Sequence, residues 1–159
     1  MKLKYISKKT ENILISSFGA FLCMFLIAYI NNIDNTNIWL IPPFGASLVL
    51  VMAVYDSPLA KPRNIFFGHI LTAFVGVVFV NYIPLPLYLS IPISVGLGVF
   101  GMIFFNVTHP PAGGNPIIVL MGSASFGYLL YPVIIGVLIV ILFGIILNRF
   151  ILKKTYPKI

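Results

Sequence analysis

Between Arg63 and Arg149 the chain carries no lysine, arginine, aspartate or glutamate. A water-facing surface cannot be built from such a stretch, because soluble domains average about 25% charged residues. A bilayer selects for it: about 20 apolar residues in a helix cross a hydrocarbon core about 30 Å thick. The rest of the chain agrees, with 60% hydrophobic and 8% charged residues overall. An integral membrane protein follows. Its 159 residues admit up to six spans with short loops and leave no room for a separate soluble domain.

The net charge of +7 reads as topology rather than nucleic-acid binding, since basic residues flank spans on the cytoplasmic side. The one cysteine, Cys23, lies in an apolar run, so no intrachain disulfide exists. The basic N-terminus and residues 13–30 have the outline of a signal peptide. Yet that run exceeds the usual 7–15 residues and leads into Asn31, Asn32, Ile33 and Asp34, not a small-residue cleavage site. An uncleaved first span is expected.

Six apolar segments can be drawn, at 13–30, 38–55, 65–83, 87–106, 110–123 and 128–150. With all six crossing and the N-terminus cytoplasmic, every basic residue falls inside: Lys2, Lys4, Lys8, Lys9, Lys61, Arg63, Arg149, Lys153, Lys154 and Lys158. A four-span drawing, with segments two and five re-entrant, puts Lys61 and Arg63 outside. The positive-inside rule favours six, in a multi-pass protein of the cell membrane with both termini cytoplasmic.

The chain also repeats itself. A shift of 68 residues (110 − 42) pairs Pro42 with Pro110, Pro43 with Pro111, Gly45 with Gly113 and Val51 with Val119. The same shift pairs Gly68 with Gly136 and Gly76 with Gly144. Two units, about 13–83 and 87–150, result within a single domain, 1–159. Three segments per unit turn the second upside down, giving the 3+3 inverted repeat common among secondary transporters. The expected fold is all-α, with segments two and five short and started by their proline pairs.

Proline suits the first helical turn, where its missing N–H is not needed. Pro42, Pro43, Pro110 and Pro111 therefore mark helix starts. A helix of about 12 residues after each pair covers about 18 Å and begins inside the membrane. Helix starts offer unpaired N–H groups and partial positive charge, which suits a monovalent anion. The candidate substrate site is Gly45, Ala46 and Ser47 with Thr108, His109, Gly113, Gly114 and Asn115. The acidic residues, Glu11, Asp34 and Asp56, lie at segment ends or in loops, whereas a mid-membrane cation site wants carboxylates. His109 either contacts the anion, relays a proton, or fixes the turn by a hydrogen bond. Lys61, Arg63, Asn64 and His69 are candidates for gating, against the plainer roles of setting topology and lining the interface. Gly96, Gly98 and Gly101 suit close helix packing. No paired carboxylates, metal-ligand cluster or phosphate loop points to an enzyme, a cofactor or a metal. The partners expected are a small inorganic anion and the bilayer, with self-association left open. A non-transporting scaffold is the main alternative, and a membrane-embedded enzyme a weaker one.

Three blocks in order, PPFGASLVLVMA, SPLAKPRNIFFGH and THPPAGGNP, resemble the HPP family of integral membrane proteins. The His-Pro-Pro of its name is His109-Pro110-Pro111. Ser57, Pro58, Pro62, Arg63, Asn64, Gly68 and His69 fit the family pattern, while Lys61 stands where glutamine is usual. The resemblance implies a transporter, with nitrite as cargo in some plant and cyanobacterial members. It also implies four spans, against the six that the charges favour.

Overall fold

In the computed structural model, which describes residues 2–35 and 38–158, the described chain is helical and contains no strand. The helices are α1 (Lys2–Asp34), α2 (Pro42–Ala53), α3 (Pro62–Tyr82), α4 (Leu87–Phe104), α5 (Asn115–Met121) and α6 (Ile135–Ile145). A 3₁₀ turn, Pro110–Gly114, leads into α5, and π turns flank α6 at Leu129–Ile134 and Ile146–Ile151. Four helices are long and apolar enough to cross a membrane: Lys8–Asp34, Pro62–Tyr82, Leu87–Phe104 and Leu129–Ile151. The expected inner placement of Lys2 and Lys4 concerns side chains outside those described, as do Thr36 and Asn37 of the first loop.

Segments two and five are the short ones. The α2 helix has 12 residues. The expected 12-residue helix after Pro111 is instead a 3₁₀ turn of five residues and an α-helix of seven. The difference follows from sequence: glycines at 113 and 114 and a third proline at 116 leave few residues that favour α-helix. Segment six opens irregularly, with Tyr131 at φ −119° and ψ 113° just before Pro132; a residue preceding proline is pushed out of the α region.

Contacts define two ends of the bundle. At one, Lys8, Lys9, Met52 and Lys154 line a common crevice. Lys158 lies 3.9 Å from Asp56, the Tyr156 hydroxyl donates to the Ala60 carbonyl at 2.9 Å, and Arg63 reaches the Phe105 carbonyl at 3.3 Å. Burial pushes the Tyr156 hydroxyl up to about 12, so it stays a donor. At the other end Trp39 donates to Asp34 at 2.9 Å and packs on Tyr131 with ring centres 5.9 Å apart, and Tyr82 meets Phe126 at 6.0 Å. Residues 39–56 thus run from the second end to the first, and residues 107–126 run back.

Residues in the left-handed region stop four of these segments: Asn35 (φ 53°), Asn106 (φ 54°), Ser123 (φ 48°) and Lys153 (φ 54°) follow α1, α4, α5 and the last helix. Close crossings depend on small residues. A Cβ on Gly76 would meet Val119 Cβ at 2.9 Å and the Pro116 backbone at 3.0 Å, and one on Gly144 would run into Val51. Gly98 packs on Thr72 and Gly101 on Leu71, as close helix packing requires, but Gly96 faces open space. The expectation for the three glycines therefore holds for two.

Candidate functional site

Proline sets the backbone of the site. His109 precedes Pro110 and is extended (φ −138°, ψ 100°), as is Ile41 before Pro42 (φ −95°, ψ 131°). The left-handed turn at Asn106 ends α4, and Val107–His109 leads back into the bundle. There the His109 side chain is fully buried. Its Nδ1 lies 2.8 Å from the Leu59 carbonyl and its Nε2 lies 2.8 Å from Ser47 Oγ. His69, from α3, approaches the same hydroxyl with Nε2 at 2.9 Å. The two imidazole centres are 5.1 Å apart.

Asn115, at the start of α5, closes the cluster. Its Nδ2 is 3.0 Å from His69 Nδ1, from the His69 carbonyl and from Thr72 Oγ1. Ser47, His69, Thr72, His109 and Asn115 are all buried, and they come from α2, α3, α5 and the 107–109 lead-in.

The acceptors decide where the protons sit. A carbonyl only accepts, so the Asn115 atom facing the His69 carbonyl is the amide nitrogen. His69 Nδ1 therefore accepts from it, and the His69 proton is on Nε2, donated to Ser47 Oγ. At His109 the Leu59 carbonyl requires a proton on Nδ1. Neutral His109 Nε2 then accepts from the Ser47 hydroxyl. With both imidazoles neutral, the run Asn115 to His69 to Ser47 to His109 to Leu59 is one ordered hydrogen-bond chain. Asn115 Oδ1 is buried with no partner.

The site expected from sequence thus divides. Ser47, His109 and Asn115 converge, and they are joined by His69, a candidate for gating on sequence grounds. Gly114 lies beside them, where a Cβ would sit 3.3 Å from Pro43 Cγ, so the two proline-led segments touch. The other members lie elsewhere. Ala46 is exposed on the outside of α2. Gly45 lines a crevice of about 810 Å³ against α1. A Cβ on Gly113 would meet nothing within 4 Å. Thr108 contributes its carbonyl, which accepts from Asn64 at 3.0 Å.

The free N–H groups expected at the helix starts are missing for a plain reason. Two prolines occupy the first two positions of each start and have no N–H. The next donors, Phe44 N and Ala112 N, are taken by the Ile41 and His109 carbonyls, each at 3.0 Å. What faces the centre is side-chain chemistry.

The block SPLAKPRN is a brace at the basic end. Three successive carbonyls serve three segments: Pro58 accepts from Asn64 at 3.2 Å, Leu59 from His109, and Ala60 from Tyr156. Asn64 belongs to this brace, and Arg63 is exposed. Sequence reasoning misses Thr72, though it lies three residues from His69 on one helix face. The Leu59 carbonyl has no side-chain signal at all.

Comparison with known proteins agrees in extent with this architecture. The family model described as "HPP, transmembrane region" matches residues 6–157. Two transmembrane proteins of Dictyostelium discoideum are 35% and 34% identical over 150 residues, each alignment covering 90% of this chain. The chain spans about half the length of these curated relatives, 53% and 48% respectively. No solved structure matches.

Proposed function

Since the chain belongs to the HPP family of transmembrane proteins, we propose that it carries a small monovalent anion, nitrite first, across the cell membrane. The observation that carries this reading is the buried His69–Ser47–His109–Asn115 cluster. It lies where two broken segments running from opposite ends of the bundle meet. None of the three acidic residues belongs to it, so no carboxylate there would repel an anion. Polar and ionisable groups inside a membrane protein mark substrate paths by default. Nitrite itself comes from the family resemblance. Vesicles containing the purified protein should take up nitrite faster than protein-free vesicles. No uptake of nitrite, nitrate, formate or chloride under any gradient would sink the reading.

The carrier would be a 3+3 inverted repeat with six crossings. Reciprocal packing supports this: Gly76 sits on Val119 and Gly144 on Val51. Adding 68 to the pair Val51 and Gly76 gives Val119 and Gly144, so each contact maps onto the other with the units exchanged. Both termini and the Lys61–Arg63 turn would face the cytoplasm. Cys23 is buried, so a cysteine at Lys61 provides a clean reporter. We expect K61C to resist an impermeant maleimide applied outside whole cells and to react in inverted vesicles. Labelling from outside would overturn the six-crossing topology.

A scaffold without transport is the second reading. It is favoured by one fact: the cluster satisfies nearly all of its own hydrogen bonds.

A further inference from the structure

The Ser47 hydroxyl has more acceptors than hydrogens. It is 2.8 Å from His109 Nε2 and also 2.9 Å from the Pro43 carbonyl, which belongs to the start of α2. In the neutral chain its one hydrogen points to His109. We propose that His69, Ser47 and His109 form a binding site for a single proton, with His109 Nε2 as the acceptor and the Pro43 carbonyl as the alternative resting place for the Ser47 hydroxyl.

The step balances. An O–H bond of a hydronium ion breaks, leaving water, and its proton adds to the His109 Nε2 lone pair and forms an N–H bond. The Ser47 hydrogen stays on its oxygen and turns from Nε2 to the Pro43 carbonyl. The new N–H then donates to Ser47 Oγ, which still accepts from His69 Nε2. Every hydrogen bond at Ser47 survives, and the cluster gains one positive charge. His69 has no such route. Its free lone pair, on Nδ1, faces the Asn115 N–H at 3.0 Å, and a proton there would set donor against donor. The amide cannot turn round, because the His69 carbonyl only accepts and so holds its nitrogen. Asn115 therefore limits the pair to one proton.

The surroundings supply no counter-charge. Around the two imidazoles α2 places Ser47 and Phe44, α3 adds Thr72, α5 provides Asn115 and the 58–60 turn provides a carbonyl. At Gly68, beside His109, α4 presents Met102. The imidazoles themselves are the only titratable side chains bonded to this network among the described residues. Lys61 and Arg63 lie towards the basic end, where Arg63 is engaged with the Phe105 carbonyl. A buried cation without a partner is costly, so a monovalent anion would travel with the proton. This last step rests on the transport reading above: one proton moves with each anion, and no net charge crosses.

The chain has two histidines, so its imidazole ¹⁵N spectrum in lipid nanodiscs contains only these sites. The neutral spectrum should show His69 as the Nε2–H tautomer and His109 as the Nδ1–H tautomer. Acidification from about pH 8, carried below the ordinary histidine range because the buried site holds no counter-charge, should convert His109 alone to imidazolium. Titration of His69, exchanged tautomers, or no protonation of either ring would overturn the proposal. In vesicles, nitrite uptake should bring in one proton per nitrite, read with a trapped pH dye against protein-free vesicles, and should ignore the membrane potential. His109→Gln should remove the protonating resonance and leave His69 neutral. Nitrite uptake driven by voltage without proton entry would overturn the coupling while leaving transport intact. Histidines that titrate as assigned, with no flux of any anion, would support the proton site and overturn the transport reading instead.

Discussion

Replacing Asn115 with alanine is expected to bring nitrite uptake down to the level of protein-free vesicles and to lower the stability of the folded bundle by about 2 kcal/mol. The Asn115 nitrogen shares its two hydrogens among three acceptors, each 3.0 Å away, in a buried site. A lost buried hydrogen bond costs about 1–3 kcal/mol in soluble proteins, but side-chain bonds between membrane helices average about 0.6 kcal/mol. The lost bonds and a vacated volume therefore add up to a modest destabilisation. The loss of function is expected to be larger because His69 Nδ1 would no longer be fixed as an acceptor, and the order of the whole chain depends on it. Asn148 supplies the control. It is equally buried and bonds the Val51 and Gly144 carbonyls at 2.9 and 3.1 Å, but it does not bond to the histidines. Asn148→Ala should cost similar stability and keep uptake. Equal retention of uptake in both variants would favour the scaffold.

The second large effect is expected at the crossing glycines. Gly76→Ala and Gly144→Ala should each destabilise the bundle by about 1–3 kcal/mol, the usual range for overpacking. At Gly76 the new methyl would press on the Pro116 backbone as well as on Val119, so no side-chain rotation relieves it. At Gly144 it would meet Val51, the residue equivalent to Val119. Gly96→Ala makes the reverse prediction. Its Cβ would meet nothing within 4 Å, and replacing glycine by alanine inside a helix gains about 0.5–1 kcal/mol. Thermal unfolding in detergent of the three variants checks the set. A Gly76 variant as stable as the Gly96 variant would contradict the close α3–α5 crossing.

The features most legible in the sequence are those that one-dimensional patterns encode. Proline pairs mark the places where helices begin, and runs without charge mark what lies in lipid. Proline also fixes the residue before it, which is why His109 and Ile41 are both extended. Helix type in segment five is less legible. Its 3₁₀ turn reflects a local balance among Gly113, Gly114 and Pro116. The expectation of free helix-start donors fails because it takes prolines as markers of a helix start without subtracting the N–H groups they remove.

The cluster itself shows the same division. Ser47 and Asn115 stand out because the 68-residue shift (115 − 47) makes them equivalent, and His109 because it sits at a helix start in an apolar chain. Nothing in the local pattern of FFGHILT distinguishes an interfacial histidine from a central one. His69 is central because Gly68 lets the 107–109 lead-in approach α3 closely, with the Val107 carbonyl 3.1 Å from where a Cβ would sit. Likewise Leu59 matters through its carbonyl, and every residue has the same carbonyl to offer. Composition and proline spacing by themselves determined a lipid-embedded helical chain with two interrupted segments, since those constraints act along the chain. Only the tertiary structure decided that two histidines 40 residues apart (109 − 69) share one serine hydroxyl, because a hydrogen-bond order depends on distances between segments that no spacing within either segment records.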